Sequence, residues 1–312
     1  MKERDFIIIG APEWELKIGS NIRNIAYELS RQNRVIYVNP PFDRNTLLRE
    51  RNNPEFQEKK AEVMNNNDGL TEIKENLWLY NIKSVAESLN WIPFHSIFLL
   101  LNKVNVKRFG KAVSEAVQTL NFKDFILIND SLMFKGYGLR KYLDPSAYLY
   151  YIRDNLITQP YFKKHGQFLE PRLINEVDAV IANSLYLRDY AKKYNENSFY
   201  VGQGYENENF DYNQTYKIPE DIIDIKKPII GYIGALTSLR LDIPLMEEIA
   251  KRCDDFSMVL VGPEDEAFKQ SNLHQLKNVH FLGLKKMNEL AAYVRQFDVC
   301  INPQLVNDLT IG

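Results

Sequence analysis

Three stretches in the second half of the chain join a short apolar run to small residues. Such turns let backbone N–H groups close on a phosphate. In the first, Gly231-Tyr-Ile-Gly-Ala-Leu236 leads through Thr237 to Arg240 and Asp242. Gly234 and Ala235 would let backbone approach a ligand closely, and the planar guanidinium of Arg240 suits a diphosphate. The alternative is a surface Arg240 paired with Asp242 or Glu247. The second stretch, Val261-Gly-Pro-Glu-Asp-Glu266, offers Gly262 and Glu264, and the third, Phe281-Leu-Gly283, offers Leu282 and Gly283. Each is unspecific alone, and three in one region reinforce each other.

The first half offers different chemistry. Tyr151-Ile-Arg-Asp154 sets a carboxylate beside an arginine at the end of an apolar run. Asp154 is there a candidate for binding a substrate hydroxyl or handling a proton, and a structural ion pair is the alternative. The loop from Gly10 through Trp14 to Gly19 and Ser20 turns two glycines and a helix start toward a cleft, unless it is a plain turn. It lacks the Gly-x-Gly-x-x-Gly spacing, and no Gly-x-x-x-x-Gly-Lys-Ser/Thr occurs, so nicotinamide redox chemistry and P-loop hydrolysis lose their best marker. From Trp91 to Lys111, an aromatic and aliphatic run precedes Lys103, Lys107, Arg108 and Lys111. This reads either as an interfacial helix against anionic lipid or as a partly buried helix with a solvated basic face.

These residues need elements to position them. Apolar runs at 5–9, 34–38, 77–80, 125–128, 148–152, 179–182 and 199–201 read as strands. Ser20 is placed to cap a helix carrying Ile22, Ile25, Ala26 and Leu29 on one face. Residues 43–76 read as a polar, partly helical surface excursion. After a polar, acidic linker at 206–226 the pattern restarts, with strands at 229–233, 258–261, 279–282 and 299–301 and helices at 242–252 and 287–297. The expected fold is α/β, with two doubly wound, Rossmann-like domains: 1–205, and 227–312 after the linker. Four strands fall short of the usual five or six, so the second domain is expected to be incomplete and to continue past Gly312. Completion by a swapped or oligomeric partner is the alternative.

Composition narrows the class. The chain has 312 residues and a formal net charge of −2, which speaks against a polybasic nucleic-acid binder. Residues 1–205 carry about +4 and residues 206–312 about −6, which allows the first domain to meet an anionic partner. Two cysteines, Cys253 and Cys300, and four scattered histidines supply neither a disulfide framework nor a zinc site. No apolar run approaches the ~20 residues of a membrane span. A reducing, cytoplasmic setting is expected.

Several segments, in order, resemble the GT-B glycosyltransferases, specifically the retaining group-1 (family-4-like) enzymes of bacterial surface-polysaccharide assembly. They are Arg34-Val-Ile-Tyr-Val-Asn-Pro-Pro41, Val177-Asp-Ala-Val-Ile-Ala-Asn-Ser184, Val201-Gly-Gln-Gly-Tyr-Glu-Asn-Glu-Asn-Phe210, Gly231-Tyr-Ile-Gly-Ala-Leu236, Val279-His-Phe-Leu-Gly283 and Phe297-Asp-Val-Cys-Ile-Asn-Pro303. The resemblance implies transfer of a sugar, with retention and without a metal or cofactor, from a nucleoside-diphosphate sugar to a hydroxyl of a lipid-linked or polysaccharide acceptor. It implies cell-surface glycan biosynthesis, peripheral contact with the inner membrane face and no nucleic-acid partner. Gly234, Ala235, Arg240, Gly262, Glu264, Leu282 and Gly283 then fall on the donor side, Gly10, Trp14, Gly19 and Ser20 on the acceptor side, and Asp154 faces the transferred sugar. Ala235 stands where the family has an arginine, which leaves more of the diphosphate to Arg240. The family's ribose-binding glutamate is expected just beyond Gly312, so weak transfer is expected of these 312 residues. The alternative is a non-catalytic GT-B-shaped scaffold of a polysaccharide assembly complex. A sugar-nucleotide epimerase is disfavoured, because no carboxylate and histidine set stands ready for proton abstraction.

Overall fold

The computed structural model describes residues 2–15, 20–204, 210–211 and 213–311. They form two compact units that divide between Gln203 and Gly204.

The first unit is built on eight strands: β1 (Asp5–Gly10), β2 (Arg34–Val38), β3 (Leu70–Lys74), β4 (Leu77–Tyr80), β5 (Ile126–Asp130), β6 (Ala147–Ile152), β7 (Ala179–Ala182) and β8 (Ser198–Tyr200). Their order in the sheet is β3-β4-β2-β1-β5-β6-β7-β8. Every pairing is parallel except β3 with β4. Alternation explains why β1 lies at the centre. Ile7 and Ile9 enter one apolar cluster, while Phe6 and Ile8 enter another on the opposite face. A strand buried on both faces needs helices on both, which the parallel crossovers supply. These are α1 (Asn21–Ser30), α2 (Arg44–Arg49), α3 (Pro54–Asn65), α4 (His95–Thr119), α5 (Met133–Gly136), α6 (Pro160–Glu176) and α7 (Leu185–Lys192). Helix α1 buries Ile22, Ala26 and Ser30, one residue per turn.

The second unit holds β9 (Ile229–Ile233), β10 (Ser257–Val261), β11 (Val279–Gly283) and β12 (Val299–Cys300), all parallel, in the order β11-β10-β9-β12. Its helices are α8 (Ile243–Arg252), α9 (Glu266–Lys269) and α10 (Leu290–Val294). Asp242 caps α8 by accepting from the Leu245 N–H.

Three differences from the sequence reading have physical causes. The polar excursion hides β3, an antiparallel edge strand with no buried residue, so it lacks the apolar run that marks a strand. The helix expected at 287–297 is a 3-10 turn, Met287–Glu289, followed by the five residues of α10. The end of the expected linker belongs to the second unit. Ile222 is buried there among Ile229, Val259, Val261 and Tyr293, and Asp221 accepts from Lys285 Nζ (2.6 Å) and Tyr293 Oη (2.8 Å). Among the described residues no helix is long and apolar enough to cross a membrane.

Candidate functional site

In a doubly wound sheet, ligands bind beyond the carboxyl ends of the strands, where the strand order reverses. The topology puts that reversal between β1 and β5 in the first unit and between β9 and β12 in the second. Gly10 and Gly234 fall at these two places, and Asp154, Gly262 and Gly283 at the carboxyl ends of β6, β10 and β11; each unit is described on its own.

In the second unit the three small-residue turns interlock. Gly234 N donates to Val261 O (2.9 Å), and Gly262 N donates to Gly283 O (3.0 Å). A Cβ on Gly262 would lie 1.8 Å from Gly234 O, and its φ is +151°, so only glycine allows the β9 and β10 turns to touch. Leu236 N then donates to Pro263 O (2.8 Å), and Asp265 N returns to Leu236 O (2.9 Å). The carboxylate of Asp265 clamps this arrangement, accepting from Ser238 N (2.7 Å), Ser238 Oγ (2.9 Å) and Phe268 N (2.9 Å). Burial raises its pKa, but these bonds outweigh burial and hold the carboxyl below its ordinary range.

Arg240 closes the turn that begins at Thr237, its N–H donating to Thr237 O (3.1 Å). The segment after β12 runs along it: Leu305 N donates to Arg240 O (2.8 Å) and Asp242 N to Pro303 O (2.9 Å). Burial raises the Tyr232 hydroxyl pKa, and the Arg240 charge opposes that rise. Of the two acids weighed as partners, Asp242 caps α8, and Glu247 accepts from Asn272 N (3.1 Å) and lies 3.8 Å from Lys251.

Two donor-side residues have other employment. Glu264 meets His274 Nε2 at 2.7 Å, and that ring stacks on Phe281 with centroids 3.9 Å apart. Leu282 packs against the cluster of Val259, Val261 and Tyr293, because alternation along β11 turns its side chain into the core. The strand-end position beside it belongs to Gly283.

In the first unit, β1 and β5 end in register at Gly10 and Asp130. Asp130 is fully buried and accepts two bonds from Arg153, Nε to Oδ1 at 2.6 Å and Nη2 to Oδ2 at 2.9 Å. Burial pushes the Asp130 carboxyl up, and the arginine draws it back. The ion pair that Arg153 makes is thus with Asp130 on the neighbouring strand, not the pair with Asp154 that was weighed as the alternative for this turn. Asp154, half-buried, follows in the next position, and its charge acts on Arg153, Tyr151 and Asp130. Ser131 adopts a left-handed backbone (φ 56°), and its hydroxyl donates to Tyr151 O (3.1 Å). Asn183 donates to Arg153 O (3.1 Å), and Asn21 donates to Tyr151 Oη (3.0 Å).

The loop after β1 is anchored. A Cβ on Gly10 would lie 2.0 Å from Tyr37 Oη, which donates to Pro12 O (2.7 Å). The Trp14 ring is buried against Tyr27 and Tyr37, with Arg23 over its face. It was expected among acceptor-side groups and is instead a core residue. Ser20 takes the N-cap position of α1 without a side-chain cap bond, and its buried hydroxyl has no partner among the described residues. Gly19 lies outside the described residues.

Asp130 and Asp265 were missed by sequence reading. Asp130 closes β5, two polar residues beyond the apolar run that marks the strand at 125–128. Asp265 stood inside a quoted turn with nothing to separate it from Glu264 and Glu266. Among the described residues no group of three or more His, Cys, Asp or Glu side chains could hold a metal ion.

No protein-family model matches the chain, and no curated protein matches it. Solved structures do. Sucrose-phosphate synthase from Thermosynechococcus elongatus is 14% identical, with 99% of this chain and 77% of that one covered, at a TM-score of 0.66. HepE of Anabaena in complex with UDP is 13% identical, with 96% and 74% covered, at 0.57. A protein assigned as a UDP-N-acetylglucosamine 2-epimerase from Listeria monocytogenes is 10% identical, with 96% and 73% covered, at 0.53. At such identities the likeness is one of fold. The chain has the α/β GT-B fold, two Rossmann-like units in succession.

Proposed function

We propose that this chain is a retaining glycosyltransferase that moves a sugar from a nucleoside-diphosphate sugar to a hydroxyl of a lipid-linked or polysaccharide acceptor in cell-surface glycan synthesis. The observation that carries the reading is the interlocked Gly234, Gly262 and Gly283 turns, with Arg240 closing the turn that follows Gly234 at Thr237. A fold shared with a UDP-bound structure supports it. In the reaction the bond from the anomeric carbon to the β-phosphate oxygen breaks, and a bond from that carbon to the acceptor oxygen forms. The acceptor's proton leaves with the nucleoside diphosphate or to solvent. Charge grows on the departing diphosphate, so fixed donors placed before reaction lower the barrier. In this reading Arg240 and the turn backbone supply them, and no metal is needed. The second unit takes the donor, and the first takes the acceptor. Asp154 accepts hydrogen bonds from the sugar or the acceptor hydroxyl, and the Asp130–Arg153 pair holds its turn.

Calorimetric titration with UDP and GDP, followed by release of diphosphate from matching sugar donors, tests the reading. Arg240→Ala is expected to weaken donor binding about 10- to 100-fold, since a charged hydrogen bond contributes ~1.5–3 kcal/mol. Unchanged affinity would remove Arg240 from the site. Ala235, where the resembling family has arginine, favours the second reading of a GT-B-shaped protein without catalysis. Tight nucleotide binding with no turnover over any donor and acceptor pair would select it.

A further inference from the structure

Helix α4 carries an outward face that nothing in its own unit covers. Phe98, Asn102, Asn105, Val106 and Phe109 turn inward and are buried. On the other side Trp91 (75% exposed), Phe94 (65%), Ile97 (47%), Leu100 (62%), Leu101 and Val104 remain open to solvent. The spacing 94, 97, 101, 104 keeps them on one stripe. Single exposed leucines are ordinary, but five large apolar side chains along one helix face, from Phe94 at its cap to Val104, with Trp91 just before them, are not.

Charge separates the candidate occupants. Between Glu87 and Glu115 the sequence has no carboxylate, while Lys103, Lys107, Arg108 and Lys111 fall within it. Lys107, Arg108 and Lys111 continue the apolar stripe toward the C-terminal half of the helix, and the three lysines are exposed. Arg108 is held by Glu87 at 2.8 Å. The start of α6 adds exposed Tyr161, Lys163 and Lys164 next to the same stripe, with Lys164 Nζ donating to Trp91 O (2.9 Å). A protein partner for an apolar stripe calls for a matching apolar surface and does not call for a border without acids. A bilayer with anionic headgroups calls for both features, apolar groups to enter the acyl boundary and lysines to meet phosphate.

We propose that the N-terminal half of α4, with the start of α6, docks on an anionic lipid surface. Trp91, Phe94, Ile97 and Leu100 enter it, and Lys103, Lys107 and Lys111 contact its headgroups. A lipid surface suits the lipid-linked acceptor of the proposed function, on which this inference rests for its setting, but its geometry does not depend on sugar transfer.

Flotation with vesicles of phosphatidylcholine, with and without phosphatidylglycerol, tests it without donor or acceptor. The full chain is expected to float with the anionic vesicles only and to release as salt rises. Trp91 fluorescence should shift to the blue on binding, since Trp14 is already buried and Trp78 is packed against the core. Leu100→Asp is expected to lower partitioning about tenfold or more. Lys107→Gln with Lys111→Gln should lower it about 25-fold, at roughly fivefold per lysine. Leu48→Asp, exposed on α2, should leave it unchanged. All variants change exposed side chains, and their melting curves report folding. Absence of flotation, equal binding to both vesicle types, or insensitivity to Leu100→Asp in a folded variant would overturn the proposal. A solution dimer dissolved by Leu100→Asp would assign the stripe to a second copy and overturn it equally. Donor titration on the same preparation reads the transferase proposal separately.

Discussion

A fully buried carboxylate gripped by one arginine fixes more than its own position. Asp130 and Arg153 tie the ends of β5 and β6 together and hold the turn that carries Asp154. Arg153→Leu leaves Asp130 buried without its cation, and urea unfolding should show a loss of about 3–5 kcal/mol. Arg153→Lys keeps the charge but loses the two-pronged geometry and should fall between the two. Glu170 on α6 makes the opposite case. Among the described residues no cation pairs with it; it is buried, accepts from Tyr150 Oη (2.8 Å) and Tyr190 Oη (3.2 Å), and burial pushes its pKa to about 7. The unfolded chain ionises this group near its ordinary value of 4.5. Between those values the native state holds the extra proton, so stability falls as pH rises, with a slope approaching about 1.4 kcal/mol per pH unit. Glu170→Gln should flatten that part of the profile in urea midpoints measured from about pH 5 to pH 8. An unchanged slope would show that Glu170 is not the group responsible.

At the scale of elements, the second unit's candidate site is a contact between turns. Helix α8 and strands β9 to β11 would form around many turn sequences, but the β9 and β10 turns meet only over Gly262. Gly262→Ala should force them apart, lowering nucleotide affinity more than tenfold and stability by about 1–3 kcal/mol. Gly283→Ala is the comparison. Its Cβ would meet nothing within 4 Å, and only the left-handed backbone (φ +68°) opposes it, so a loss of about 1–2 kcal/mol is expected. Equal effects on affinity at both positions would mean that the turn contact does not shape the site. In the first unit Gly10 has the matching role beneath the Tyr37 hydroxyl, which keeps the anchored loop close to the β1 end.

At the scale of the molecule, each unit has its own apolar clusters. All three tryptophans, Trp14, Trp78 and Trp91, lie in the first unit. Tryptophan fluorescence therefore reports that unit's unfolding, while circular dichroism reports both. The two urea transitions are expected not to coincide. On the proposed function, the nucleoside diphosphate of its donor, UDP or GDP, should move the tryptophan-silent step to higher urea, by RT ln(1 + [L]/Kd) in stability. Coincident transitions would show that the units unfold as one. A UDP shift confined to the tryptophan signal would move the donor site to the first unit.

The order of apolar runs, their small-residue endings and the restart after residue 226 determine two successive α/β units. The turns at Gly234 and Gly262 are legible because close backbone approach requires glycine, while the role of Arg240 beside them belongs to the proposal. Tertiary structure decided what each side chain faces. It turned Leu282 and Trp14 into the core and committed Glu264 to His274. It supplied Asp130 and Asp265 as the carboxylates that hold the turns. The reason is one of range. Periodicity and turn chemistry act between neighbours in sequence, and they leave their mark on composition. The partner of Arg153 lies 23 residues away, and that of Ser238 lies 27 residues away. Parallel strand order alone brings those residues together, and no local pattern encodes it.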